Sequence, residues 1–233
     1  MKTIGIIGGM SWESSAVYYR LFNEIARERL GGLHSAPLIL WSFDFAEIEA
    51  LQAAGEWDAL TRRMSAAARR LAGAGAELLV IATNTMHRMA DAVQAASGVA
   101  LVHIADAVGE AAQARGIRRP LVLGTRFTME QDFYVGRLRG RHGLDVRVPD
   151  AAGRDTVHRV IYDELCRGIV REPSRQAYRG IIADAVARGA DGVVLGCTEV
   201  GLLIASADAP VPVLDSTAIH VQAAFEQALA SAY

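Results

Sequence analysis

Apolar residues fall in two alternating patterns along this chain of 233 residues. Short apolar runs at 4–7, 78–82, 121–123 and 193–195, each followed by a turn, read as buried strands. Stretches at 37–43, 99–104 and 211–215 predict further strands. Between the strands lie segments with helical character. In 14–30 the apolar stripe is Val17, Leu21, Ile25 and Leu30, beside Arg20, Glu24 and Arg27, and Gly31-Gly32 closes it. Segments 58–74, 86–96, 106–115, 129–139, 156–167, 176–188 and 218–230 also read as helices, with Gly75 and Gly116 closing two of them. Strands alternating with helices predict βαβ units and parallel sheet, an α/β fold.

The pattern repeats. Gly75-Ala76-Glu77-Leu78-Leu79-Val80-Ile81-Ala82-Thr83-Asn84-Thr85 aligns without a gap on Gly189-Ala190-Asp191-Gly192-Val193-Val194-Leu195-Gly196-Cys197-Thr198-Glu199, and Thr83 falls on Cys197. The opening strand and glycine turn, Ile4-Gly5-Ile6-Ile7-Gly8-Gly9, return as Leu121-Val122-Leu123-Gly124. The interval from Gly8 to Thr83 nearly equals that from Gly124 to Cys197. So long a period excludes a solenoid and predicts a duplicated half-domain. The expected halves are 1–98 with 211–233, the last strand and helix returning to the first half, and 99–210. If the halves face each other, Thr83 and Cys197 meet across a cleft.

Bulk properties narrow the function classes. A net charge of −2, with no run of five like charges, gives no reason to expect nucleic acid or an anionic membrane surface as partner. The cluster Arg137, Arg139, Arg141 and His142 reads as the solvated end of a helix. Two cysteines, Cys166 and Cys197, fit a reducing cytosol better than a secreted scaffold. The first residues enter a strand too short and too glycine-broken for a signal peptide, and no window approaches a membrane span. The expected location is cytoplasmic.

Chemistry concentrates where strands end. Cys197 follows a buried strand, the place where open α/β folds keep their reactive groups. A thiolate at a helix N-terminus has its pKa lowered from about 8.5 to roughly 3.5–7.5 and serves as base or nucleophile. The alternative is a buried structural cysteine, and the polar Thr198 and Glu199 weigh against it. Thr83-Asn84-Thr85 stands at the matching strand end, with donors for a carboxylate or simple helix caps. His34, His87, His103 and His220 show no metal-binding spacing and read as structural, and Cys166 reads as mid-helix filler. Gly5, Gly8 and Gly9 lack the dinucleotide fingerprint.

Taken in order, Gly8-Gly9-Met10-Ser11-Trp12-Glu13-Ser14, Thr83-Asn84-Thr85-Met86-His87, Leu123-Gly124-Thr125 with Thr128-Met129, Ile161-Tyr162-Asp163-Glu164-Leu165 and Gly196-Cys197-Thr198-Glu199 resemble the aspartate/glutamate racemase family over nearly the whole chain. The resemblance implies two flavodoxin-like halves with the active site in a cleft between them, a homodimer, and neither pyridoxal phosphate nor metal. It also implies an amino-acid substrate. Members of that family carry a cysteine in each half, one removing the α-proton and the other returning a proton to the opposite face. Here Cys197 keeps its place and Thr83 replaces the other cysteine, which predicts a preference for one enantiomer. By the same resemblance, Met10, Ser11, Asn84, Thr85, Thr125, Thr128 and Thr198 contact the substrate. Where aspartate-specific members carry an arginine and a lysine, this chain offers Gln52 and Cys166, so neutral or hydroxylated amino acids such as homoserine join aspartate and glutamate as substrates. Two rival readings stay open: a malonate-type decarboxylase using the single cysteine, and an amino-acid-binding protein without catalysis.

Overall fold

Six short strands form among the described residues, 1–230, of the computed structural model, and all pair in parallel. The chain divides into two units, Met1–His103 with the chain from His220 onward, and Ile104–Ile219. In the first, β1 (Ile4–Gly8), α1 (Trp12–Leu30), β2 (Leu38–Ser42), α2 (Phe45–Ala53), α3 (Trp57–Gly73), β3 (Leu78–Ile81) and α4 (Ala90–Ser97) follow in order. The second holds α5 (Ile104–Ala114), β4 (Pro120–Gly124), α6 (Arg126–Glu130), α7 (Arg137–His142), α8 (Ala151–Asp163), α9 (Glu172–Ala187), β5 (Gly192–Gly196), α10 (Val200–Leu203), β6 (Val213–Asp215) and the start of α11 (Ser216–Ala230).

The two sheets share one topology. In the first unit the order is β2-β1-β3, and Leu79 bridges to Leu101 beyond β3. In the second, Arg147 bridges to Leu121 on the outer side of β4, followed by β5 and β6. Counted along the chain, each sheet reads second, first, third, fourth, the flavodoxin-like order. Period-two alternation covers both faces. Ile4, Ile6, Leu78 and Val80 pack with Tyr18, Phe22 and Phe225, while Ile7, Leu79 and Ile81 pack with Leu60, Met64 and Leu71. In the second unit Leu121, Leu123, Val193 and Leu195 face α8 and α9, and Val122, Val194 and Leu214 face α5 and α7. Sheets buried on both sides have the continuous apolar strands seen in the sequence.

Several elements differ from their expectation. The unit boundaries fall after His103 and Ile219, later than the 98 and 210 read from sequence. Val213–Asp215 is the cause: it is paired to β5, so the chain stays in the second unit until α11 is under way. Residues 231–233, which the expected first half includes, lie outside the described residues. The buried face of α1 is Tyr18, Phe22 and Ala26; Val17, Leu21 and Ile25 flank it, and Leu30 is exposed. The strand at 99–104 reduces to the Leu101 bridge because Ile104 already begins α5. Segment 129–139 breaks into α6, one π turn at Asp132–Gly136 and α7. The helix α2 escaped the reading, although Asp44, whose carboxylate accepts from the Ala46 N–H at 3.0 Å, gives it an ordinary N-cap. Among the described residues no helix is long and apolar enough to cross a membrane.

Candidate active site

In a sheet of this order, ligands bind beyond the carboxyl ends of the first and third strands, where the winding direction reverses. Those ends are Gly8 to Ser11 and Ala82 to Thr85 in the first unit, and Gly124-Thr125 and Gly196-Cys197 in the second. Local sequence explains the turns. Gly9 has φ +79, and a Cβ there would lie 2.3 Å from the backbone of Phe43. The turn it permits aims the Gly9 N–H at the Ser15 hydroxyl, 2.7 Å away.

The two first-strand turns are built alike. Ser11 caps α1, its hydroxyl accepting from the Ser14 N–H and lying 3.4 Å from the Ser14 hydroxyl. Thr125 caps α6 in the same way, accepting from the Thr128 N–H, with the two hydroxyls 3.2 Å apart. All four side chains are buried, as is Met10. Ser14 is the partner that sequence reading passed over; its signal was the equal i, i+3 hydroxyl spacing in both halves. The Thr128 side chain lies against both Gly124 and Gly196, so it touches the ends of β4 and β5 together.

At the third strand of the first unit, Thr83 is partly exposed, while Asn84 and Thr85 are buried. Asn84 precedes a 3-10 turn (Thr85–Met89) without a side-chain cap bond to it, so capping does not account for this residue. His87, buried in that turn, reaches back with Nδ1 to the Thr83 carbonyl at 2.9 Å. A carbonyl only accepts, so Nδ1 carries the proton. His103 lies tilted against His87 and His220 meets it edge-on, with centroids 4.7 and 5.4 Å away. Burial, then repulsion from those two rings, holds the His87 pKa well below its ordinary value. Gln52 is buried within α2.

Cys197 departs from its expectation. The thiol is partly exposed at the end of β5, and its S–H donates to Glu199 Oε2 at 2.9 Å. Its pKa is raised well above the ordinary thiol value, first by burial and then by the Glu199 charge and Cys166; only the Glu199 backbone N–H pulls the other way. The following helix, α10, has four residues, too short to offset a neighbouring carboxylate. Cys197 therefore rests as a thiol, and the helix-lowered thiolate is corrected. Thr198 is partly exposed and Glu199 buried. Cys166 sits in a 3-10 turn (Leu165–Arg167), not mid-helix, and packs with Cys197 on one core cluster. Nearby, the Ser174 hydroxyl donates to the buried Glu164 carboxylate at 2.6 Å. Among the described residues no group of three or more His, Cys, Asp or Glu is arranged for a metal ion.

Known proteins are similar to this chain in sequence and fold. The family model described as Asp/Glu/Hydantoin racemase matches residues 7–224. A candidate Asp/Glu racemase of known structure from Yersinia pestis is 52% identical, with 98% of this chain and 100% of that one covered and a TM-score of 0.93. An aspartate racemase homologue from Pyrococcus horikoshii OT3 is 39% identical, with 98% and 100% covered and a TM-score of 0.85. Picrophilus torridus aspartate racemase, 18% identical with 98% and 94% covered, shares the fold at a TM-score of 0.76.

Proposed function

The chain belongs to the Asp/Glu/Hydantoin racemase family, an isomerase family, and from that premise we propose that it inverts the α-carbon of an amino acid with Cys197 as its principal acid and base. The observation that carries the reading is a partly exposed thiol at the third-strand end of a flavodoxin-ordered sheet, hydrogen-bonded to a carboxylate.

Racemisation needs proton exchange at both faces of one carbon, so a second group must complement the thiol. Thr83 stands at the equivalent strand end of the first unit. An alcohol is a far weaker acid than a thiol. It delivers a proton, directly or through a water it orients, but does not abstract one unaided. The two hands of substrate are therefore unequal: Cys197 deprotonates one enantiomer readily, and the antipode reacts slowly. Met10, Ser11, Asn84, Thr85, Thr125, Thr128 and Thr198 supply polar groups for the α-carboxylate and amine, and fixed donors there stabilise the charge that develops as the α-proton leaves. Gln52 and Cys166 are uncharged where a side-chain carboxylate would seek a cation, which supports substrates with neutral or hydroxylated side chains beside aspartate and glutamate.

Proton NMR in deuterium oxide tests this with both hands of glutamate, aspartate and homoserine. The expected result is loss of the α-proton signal from one enantiomer, abolished in Cys197→Ala, with Thr83→Cys accelerating exchange of the other enantiomer. Absence of exchange from every amino acid, with carbon dioxide released from a substituted malonate instead, replaces racemisation by decarboxylation. A folded Thr83→Cys protein that behaves as wild type removes Thr83 from the reaction.

A further inference from the structure

The sheet holds the end of β3 as far as Ala82, whose N–H donates to the Ile7 carbonyl at 2.9 Å. Thr83, Asn84 and Thr85 lie past that bond, and His87 ties the turn back twice. Its backbone N–H donates to the Asn84 carbonyl at 3.1 Å, and its Nδ1–H to the Thr83 carbonyl at 2.9 Å. The second unit closes the matching turn differently. Carried two residues further, the internal alignment sets Gly201 opposite His87, so no side chain stands there. The Cys197 carbonyl, counterpart of the Thr83 carbonyl, accepts instead from the backbone N–H of Val200 at 3.1 Å. In the first unit a side chain makes the bond that the backbone supplies in the second.

Burying that side chain is destabilising in one respect. Nε2 of the buried ring has no hydrogen-bond partner among the described residues, and an unmet buried acceptor opposes folding. The Val102 carbonyl would bond to it only if the ring took a second proton, which burial and the rings of His103 and His220 oppose. An apolar side chain of similar size would bring no such penalty, so what the imidazole adds is the Nδ1 donor. The same two rings hold the imidazole in place, His220 being itself bound by Tyr18 and by the Val102 carbonyl. We infer that His87 is the positioning residue that fixes Thr83 for proton delivery, acting through the Thr83 carbonyl; the inference rests on the racemase reading above. Delivery to one face of one carbon is sensitive to placement, and an error of about 1 Å costs up to about a hundredfold in rate. His87 touches the Thr83 backbone and not the substrate.

Product partition in deuterium oxide tests this, starting from the enantiomer that Cys197 deprotonates. The probe is homoserine, aspartate or glutamate, whichever wild type takes fastest. The anion left by the α-proton has two fates. It takes a deuteron from Cys197, once the S–H has exchanged with solvent, and returns to the starting hand; or it takes one from the Thr83 side and becomes the deuterated antipode. Chiral chromatography with mass detection reads both initial rates. His87→Leu fills the space without the donor, so inversion should fall by about tenfold or more while exchange with retention continues. His87→Gln, whose amide reaches the place of Nε2, should do the same. His87→Asn sets its amide nitrogen where Nδ1 stands, so it should restore the share of inversion although it leaves a cavity and unfolds more easily. Both rates come from the same folded molecules, so lost stability alone leaves their ratio where it was. A wild-type share of inversion in His87→Leu overturns the inference, as does an asparagine variant no better than the leucine one, since the donor then does not matter. A wild type that exchanges without inverting removes Thr83 from the reaction and this inference with it. A wild type that does neither removes the racemase reading as well.

Discussion

The Tyr18 hydroxyl donates a 2.8 Å hydrogen bond to Nδ1 of His220, a residue 202 positions further along the chain. The other ring nitrogen, Nε2, carries the proton and donates to the Val102 carbonyl at 2.8 Å. Both nitrogens are committed, so the buried ring is held neutral. Burial lowers its pKa from 6.5 to about 4. An unfolded chain protonates this histidine near 6.5 and the folded chain only near 4, so the unfolded state binds more protons between those values. Stability is thus complete above the upper limit and falls as pH drops through the window, by about 3 kcal/mol at its acid end. His87, buried against His103 and His220, shifts in the same direction and adds to the loss. The urea midpoint of wild type should therefore drop between pH 7 and pH 5. His220→Gln should start lower and fall less steeply; parallel curves would exclude His220 as a titrating group.

Two helix caps separate stability from binding. Asp150 accepts from the Gly153 N–H at 2.8 Å and caps α8. Ser11 caps α1 at the strand-end turn. Replacing either by alanine removes one cap and costs about 1 kcal/mol. Asp150→Ala should lower the unfolding midpoint and leave KM unchanged. Ser11→Ala should lower the midpoint by a similar amount and also raise KM, because its hydroxyl belongs to the proposed carboxylate site. Equal KM values for both variants would take Ser11 out of that site.

The features legible in the sequence are those that local pattern encodes. Apolar runs mark the strands, and the internal repeat aligns Thr83 with Cys197; the matching strand orders of the two sheets are the structural counterpart of the repeat. Features set by distant partners were not legible. The basic cluster of α7 reads as a solvated helix end, yet Asp106 of α5 collects Arg137 through two bonds of 2.6 and 2.7 Å, Arg141 at 2.9 Å and His142 at 3.1 Å. Nothing near residue 137 announces an acid on another helix. The Cys197 thiol was misjudged for a related reason. A following helix lowers a thiol pKa only if it is long enough, and four residues do not offset the burial and the Glu199 carboxylate that raise this one. The α1 stripe failed because the aromatic Tyr18 and Phe22, one step round the helix, bury more surface than the aliphatic residues beside them.

Two glycine-to-alanine substitutions should move stability in opposite directions. Gly124 ends β4, and a Cβ there would lie 2.8 Å from the Gly196 carbonyl oxygen, immediately before Cys197. The obstructing atom is backbone and cannot swing aside, so β4 and β5 must part at the end that carries the thiol. Gly124→Ala should cost about 2 kcal/mol or more by such overpacking and reduce α-proton exchange in the molecules that remain folded. Gly180 sits inside α9 and is exposed, with nothing within 4 Å of a built Cβ. Glycine in a helix interior is about 1 kcal/mol less favourable than alanine, so Gly180→Ala should raise the unfolding midpoint with exchange unchanged. Thermal unfolding of the two variants beside wild type checks both signs at once, and a tolerated alanine at 124 would show that the strand ends have slack where the proposed chemistry requires them fixed.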